Sequence, residues 1–255
     1  MAILVMADTH LSEGLDKTMD VFGHRWIGYT EKLVAAWREC VRDEDTVIVP
    51  GDVSWGMTLS DALEGLKLLN DLPGNKILGR GNHDYWWTTA SKMNAFLNEY
   101  GLSRLSFLYN NAFLVEDKLI VGTRGWFYDQ KISPRDTDFD KIVAREAGRL
   151  EMSIRSAMAL QGAENATEML CFLHFPPLYR DQICQPLINV MARYGIRRCY
   201  YGHIHGVYDQ PATVTRDGID FRLISADFLS FRPHKIDDNR EGSENIRTGG
   251  LTIPE

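Results

Sequence analysis

The sequence predicts an α/β fold in which helices cover both faces of a largely parallel sheet. Two observations carry this expectation. First, the apolar runs are short and unbroken, as in Ile3-Leu4-Val5-Met6, Thr46-Val47-Ile48-Val49 and Met169-Leu170-Cys171-Phe172-Leu173. Strands that alternate apolar with polar residues have one wet face, whereas continuous runs suit strands buried on both. Second, longer segments with helical spacing lie between the runs, the order expected of βαβ units.

The elements follow in chain order. The start, "MAILVMADTH", has an apolar stretch too short for a signal peptide and no basic lead, so it reads as a first strand. Glu31 to Arg42 places Leu33, Val34, Trp37 and Val41 on one helical face. The strand from Thr46 ends at Pro50-Gly51-Asp52. Ser60 to Leu72 reads as a helix through Leu63, Leu66 and Leu69 to Leu72. Ile77-Leu78 is a strand cut off at Gly79, and Thr88 to Tyr100 is the next helix. Phe113-Leu114-Val115 and Leu119-Ile120-Val121, joined at Glu116-Asp117-Lys118, read as a hairpin. Asp136 to Leu160 is a long helix. The run from Met169 ends at His174, and "INVMARY" stops at Gly195, a C-terminal helix signal. Cys199-Tyr200-Tyr201 ends at Gly202-His203, and Phe221 to Ile224 is a late strand.

With 255 residues, 44% of them apolar, one large core is affordable, and no Pro/Gly/Ser-rich linker divides the chain. Residues 1–236 therefore read as one domain. Residues 237–255 are polar and glycine-rich, a tail that is either extended or docked on the body. A net charge of −7 argues against an extended nucleic-acid-binding face and leaves room for a local basic pocket. No window is long and apolar enough for a membrane span. The four cysteines form no C-x-x-C pair, and Cys171 and Cys199 sit in strand-like runs as reduced, buried thiols. The cytoplasm is the expected compartment.

Polar residues collect where the strands end. The ends read "ADTH" (Asp8, His10), "PGDV" (Asp52), "GRGNHD" (Asn82, His83, Asp84), "LHFPP" (His174) and "YGHIHG" (His203, His205). Five of the seven histidines lie in these blocks. Ligands of open α/β sheets gather at the carboxyl ends of strands, so five separate ends can converge. Carboxylate, imidazole and amide oxygen without thiolate suit hard or borderline divalent metals. Asp8, His10, Asp52, Asn82, His174, His203 and His205 are too many ligands for one ion. They suit two, with a carboxylate bridging. Such a pair neutralises phosphate oxygens and turns a water held between the ions into a nucleophile near neutral pH. Gly51, Gly81 and Gly202 each precede a ligand, where a missing Cβ permits a sharp turn and close backbone approach.

The ordered set D-x-H, G-D, G-N-H-D, H and G-H-x-H resembles the calcineurin-like metallophosphoesterase superfamily, over Asp8 to His205. The resemblance implies a four-layer α/β/β/α sandwich with a dinuclear centre. It implies that Asp8, His10 and His205 hold one metal, that Asn82, His174 and His203 hold the other, and that Asp52 bridges. His83 would be catalytic, close to the leaving-group oxygen as general acid or cationic stabiliser. Mn²⁺, Fe and Zn²⁺ all fit the ligands.

One departure stands out. Serine/threonine phosphatases of this superfamily carry G-D-x-x-D-R-G, and here the block is "GDVSWGM", with Trp55 in place of the second aspartate and Gly56 in place of the arginine. The usual partner of the catalytic histidine is thus missing. Asp84 has the right side-chain type, and the loss of the arginine argues against a dedicated protein phosphatase. Arg80 is a candidate donor to a phosphate oxygen. Trp55 and Trp126 are candidates for stacking on a flat group of the substrate, with Tyr128 beside them, and packing is the competing reading. Trp86 and Trp87 read as packing residues. The expected activity is hydrolysis of a phosphomonoester or phosphodiester by a metal-bridging hydroxide. The expected partner is a small phosphorylated substrate, nucleotide-like ones included. The alternative is a non-catalytic scaffold that keeps the fold, disfavoured because His83 and all seven ligand types are present.

Overall fold

The computed structural model describes residues 1–17, 19–126 and 138–237, so Tyr128, the start of the long helix at Asp136 and the tail beyond Asp237 lie outside the described residues. The strands are β1 (Ile3–Val5), β2 (Thr46–Pro50), β3 (Asn75–Gly79), β4 (Leu105–Phe107), β5 (Phe113–Val115), β6 (Lys118–Thr123), β7 (Glu168–Leu173), β8 (Leu178–Tyr179), β9 (Gln182–Ile183), β10 (Arg198–Tyr201), β11 (Thr213–Arg216), β12 (Ile219–Leu223) and β13 (His234–Lys235). The α-helices are α1 (Tyr29–Cys40), α2 (Leu59–Asp71), α3 (Ala90–Glu99), α4 (Phe139–Met158) and α5 (Gln185–Arg193).

Two mixed sheets result. One has the order β13-β1-β2-β3-β4, with β1 to β4 parallel and β13 antiparallel at the edge. The other has the order β11-β12-β10-β7-β6-β5, parallel at its centre and closed at both edges by antiparallel strands. The unbroken apolar runs now have a cause. Along β1 to β3, Leu4, Val47, Val49 and Leu78 face the core under α1, α2 and α3, while Ile3, Val5, Ile48 and Ile77 face the other sheet. Along β6, β7 and β10, Leu119, Val121, Cys171, Leu173 and Cys199 face α4 and α5, while Ile120, Leu170, Phe172 and Tyr200 face inwards. Period 2 is present, but both faces are dry, so the sequence shows no polar alternation. The layers are helices, sheet, sheet, helices, as the resemblance implied.

The helices begin and end close to their expected bounds, and local chemistry explains two of them. Thr58 caps α2 by accepting from the Asp61 N–H while the Asp61 carboxylate accepts from the Thr58 N–H, a reciprocal capping box. The stop after α5 comes with Gly195 at φ 72°. All four cysteines are free, and Cys171 and Cys199 are buried neighbours on paired strands. Among the described residues, no helix is long and apolar enough to cross a membrane.

The two sheets meet at the carboxyl ends of β1 and β12. The Ala7 N–H donates to Ile224 C=O (2.8 Å) and the Ala226 N–H to Ala7 C=O (2.9 Å). This splice brings the loop after β1 against the loop after β10, which positions the site.

Candidate metal centre

The loops after β1, β2, β3, β7 and β10 converge at this splice. They stack through backbone bonds. Asp8 N–H donates to Gly51 C=O (3.0 Å), His10 N–H to Asp52 C=O (2.9 Å) and Gly202 N–H to His174 C=O (3.1 Å). The turns are tight enough to force four non-glycine residues into the left-handed region: Asp8 (φ 61°), His10 (45°), Asp52 (50°) and His203 (69°). Such backbone costs about 1–3 kcal/mol per residue and persists where the surroundings impose it. Gly81 and Gly202 are required by close approach. A Cβ on Gly81 would collide with the Asp52 carboxylate, and one on Gly202 with the Asp8 carboxylate.

Asp84 organises the second and third loops. Its Oδ2 accepts from the N–H of Gly81 (2.7 Å) and Asp52 (2.9 Å), and its Oδ1 from Val53 (2.8 Å), Ser54 (3.2 Å) and the Trp86 indole (3.1 Å). With both oxygens so committed, Asp84 clamps the turn that carries Asp52 rather than orienting His83. Burial pushes its carboxyl up to about 6 against the four backbone donors. Trp86 and Trp87 are buried against Phe107, so the aromatic block anchors the loop, and only Tyr85 reaches solvent.

The ligand candidates come together in two groups. Asp8, His10 and His205 offer atoms within 4.8 Å of one another, and so do Asp52, His174 and His203. Asp52 Oδ2 lies between the groups, 3.7 Å from His10 Nε2 and 3.5 Å from His174 Nε2. Asn82 Oδ1 stands 2.7 Å from His174 Nε2, on the side of the second group. His10 Nε2 and His205 Nε2 face each other at 3.4 Å.

Electrostatics shows what these groups fit. Burial pushes the Asp8 carboxyl up to about 6, and burial with the neighbouring Asp84 and Asp8 charges pushes Asp52 well above the usual range. Burial and the surrounding imidazoles hold His10 and His174 well below the usual histidine range, and burial takes His203 down to about 4. The chain alone thus gathers three imidazoles that resist protonation and carboxylates that resist ionisation, whereas at His205 burial is outweighed by the Asp227 bond and the Asp8 and Asp227 charges, which raise its pKa. His10 Nδ1 and His174 Nδ1 are buried without a hydrogen-bond partner. A lone-pair-rich cluster of nitrogen and oxygen donors of this kind fits divalent cations.

Sequence reasoning missed Asp227. Its Oδ1 accepts from His205 Nδ1–H (2.8 Å), and its Oδ2 from Gly206 N–H (3.0 Å) and the Tyr208 hydroxyl (3.0 Å). That bond fixes the tautomer that leaves His205 Nε2 free to ligate. Trp26 was also missed. It is buried, with its ring edge-on to His10 and His205 at 5.8 and 5.4 Å.

His83 sits at the rim. Its N–H donates to Asp52 Oδ1 (2.8 Å), and its ring packs on Trp55 with centroids 4.4 Å apart. Nδ1 is buried without a hydrogen-bond partner, so among the described residues no carboxylate orients this ring. Burial, Lys17 and His205 lower its pKa. Trp55 is itself buried, stacked on His10 at 4.9 Å, with the Lys17 ammonium 3.6 Å from its centroid. Trp126 is half-buried against Phe139 and Phe175, with the Arg124 guanidinium 5.1 Å from the ring. Arg80 is half-buried, and its Nε lacks a hydrogen-bond partner.

Known proteins bear on this geometry in different degrees. No curated protein matches the chain. Among solved structures, phosphopantetheinyl hydrolase from Mycobacterium tuberculosis is similar over 94% of this chain and 97% of its own, with 14% identity and a TM-score of 0.54. At that identity the likeness shows the fold alone. A protein of unknown function from Aquifex aeolicus aligns over 92% of this chain and 95% of its own, at 17% identity and a TM-score of 0.47. A family model described as calcineurin-like phosphoesterase matches residues 1–207, which takes in every one of the five strand-end blocks. The chain belongs to the calcineurin-like phosphoesterase family.

Proposed function

We propose that the protein hydrolyses a small phosphomonoester or phosphodiester at a dinuclear metal centre. The observation that carries this reading is Asp52 Oδ2 lying between the nitrogens of His10 and His174, with Asp8, His10 and His205 grouped on one side and His174 and His203 on the other. Asp8, His10 and His205 would hold one divalent ion, and Asn82, His174 and His203 the other, with Asp52 shared. Mn²⁺, Fe and Zn²⁺ suit this donor set. When bound, the ions would supply positive charge to the phosphoryl oxygens and lower the pKa of water.

The chain's own residues do the rest. Asp227 fixes His205 in the ligating tautomer. Asp84 holds the loop so that Asp52 spans both groups. His83 is placed beside the centre by the Asp52 carboxylate and by Trp55, where it would move a proton to or from the leaving-group oxygen at a ring nitrogen. Its lowered pKa favours the neutral ring over the imidazolium in the free protein. The Trp55 ring takes the aspartate's position in the family's protein phosphatases and keeps His83 in place by contact instead of by charge. Arg80 is a candidate donor to the phosphoryl oxygens, and Trp126 supports the neighbouring Arg124.

The test is turnover of p-nitrophenyl phosphate and bis(p-nitrophenyl) phosphate by the Mn²⁺-loaded protein. Both metal uptake and hydrolysis are expected. His83→Ala should lower kcat by about 10²–10⁴-fold with metal content retained, as for loss of a general acid. Full activity in that variant would remove His83 from the mechanism, and a wild-type chain that binds no metal and turns over neither ester would favour the scaffold reading.

A further inference from the structure

A second polar cluster lies beside the metal centre, at the ends of β3, β4 and β6. Arg80, Tyr109, Asn110, Arg124, Glu146 and Arg149 line one cavity. The β6 end is tied directly to the centre, because Arg124 C=O accepts from the N–H of His174 (3.1 Å) and Phe175 (2.9 Å). Arg80 is two residues before Asn82. The cavity wall is therefore continuous with the loops that carry two of the presumed ligands.

The charges in this cavity do not balance. Among the described residues, three guanidinium groups face one carboxylate. Glu146 is buried at 1% exposure, and its oxygens are already engaged. Oε2 accepts from the Thr123 hydroxyl (2.7 Å) and Gly125 N–H (3.2 Å), and Oε1 accepts from Arg149 and stands 3.9 Å from Arg124 Nη2. The Nε–H groups of Arg80 and Arg124 are buried and unpartnered. Arg80 and Arg149 both work against the Arg124 charge. Burying like charges together with unpaired donors is costly unless an anion completes the set. Guanidinium groups in such a fork match the oxygens of a phosphate.

We infer that this cavity is a second anion subsite: Arg124 and Arg149, with Arg80 at the boundary, hold a phosphate-like group of the substrate that is not the one cleaved. The inference rests on the phosphoesterase reading for the word substrate, and it narrows that reading to compounds with two separated anionic groups. Glu146 sets the geometry by fixing Arg149 and standing against Arg124, and Trp126 backs the Arg124 guanidinium from the other neighbour. A substrate with a single phosphoryl group, held at the metals and reached by Arg80, would leave the buried Arg124 Nε–H unsatisfied.

The experiment is calorimetric titration of the Mn²⁺-loaded full chain with inorganic phosphate. Two phosphates per chain are expected. Arg124→Ala should weaken one of them at least about tenfold, the loss typical of one charge-assisted contact, and leave the other. Arg149→Gln, at a side chain 41% exposed, should weaken the same one. Asp52→Asn should instead remove the phosphate bound at the metals and keep the one at the arginines. A single phosphate in the wild type, or a second one that neither arginine variant weakens, overturns the subsite. The esterase reading stands or falls separately, on turnover of p-nitrophenyl phosphate.

Discussion

The two ends of the same strands treat their buried polar groups differently. At the amino ends, every buried charge has a partner from the chain. Asp45 accepts from the N–H of Ala2 (2.7 Å) and Arg42 (2.9 Å), and Lys118 binds Asp117 and the Thr167 hydroxyl (2.8 Å). Arg198 pairs with Glu168 through Nε (2.9 Å) and donates to Asp237 C=O (2.7 Å), while Lys76 donates to the carbonyls of Leu72 and Gly74. At the carboxyl ends, the Nδ1 atoms of His10, His83 and His174 are buried with none, and four residues in three ligand-bearing loops adopt left-handed backbone. A protein tolerates strain and unsatisfied polar atoms where a ligand completes them. The closed end serves stability and the open end serves chemistry, and substitutions can separate the two.

The largest separation is expected at Asp52. Its carboxyl is pushed well above the usual range by burial and by Asp84 and Asp8, so in the metal-free chain it adds nothing to stability as an anion. Asp52→Asn keeps the oxygen that accepts from His83 N–H. It should cut turnover about a thousandfold, equivalent to about 4 kcal/mol, because the shared ligand is gone. In chelator, its melting temperature should match or exceed that of the wild type. A clear drop in melting temperature would mean that Asp52 belongs with the stabilising residues, and the comparison between the ends would fail.

Asp227 gives a smaller, more specific effect. Burial opposes its ionisation, but the His205 bond and charge, with the donors Gly206 and Tyr208, outweigh burial and hold the carboxyl below its ordinary range. Asp227→Asn preserves size and removes the charge that fixes the His205 tautomer. Affinity for one of the two metals should fall about 10–100-fold, measured by competition with a chelator of known strength. Equal affinity in variant and wild type would reduce Asp227 to a packing residue.

Much of this centre was legible in the sequence, for a physical reason. Five of the seven candidate ligands sit within three residues of a strand end, so a short apolar run followed by a polar residue marks both the element and the site. Asp8, Asp52, Asn82, His174 and His203 all follow that rule, and α1 to α4 were visible through their apolar spacing. Asp227 was not, because it stands 22 residues after His205 in a string without a motif, and only the splice of β12 onto β1 brings it back. The Asp84 clamp was hidden because five N–H donors from two loops leave no sequence pattern. Strands β11 and β13 escaped notice because an exposed edge or a two-residue length carries too little periodicity. The role of Trp55 at the aspartate position needed the packing of its ring on His83.

The finest test sits at the closed end. Lys76 is 1% exposed, and burial, helped by the Arg104 charge, lowers its pKa to about 7. It is tolerated because an amine donates to the Leu72 and Gly74 carbonyls whether or not it carries the extra proton. The sign of the effect follows. Below about pH 7 the folded and unfolded chains both hold the proton, and the cost of burying that charge is fully present. Between about 7 and 10.5 the unfolded chain keeps the proton while the folded chain has released it, so stability should rise with pH by at most about 1.4 kcal/mol per unit. Lys76→Met removes the titrating group and should flatten that part of the curve. Denaturant titrations of both proteins at pH 7, 8 and 9 give the difference directly, which cancels other groups that titrate in the window. Parallel curves would mean that Lys76 stays charged in the fold, in which case the amino ends, like the carboxyl ends, also bear an uncompensated charge.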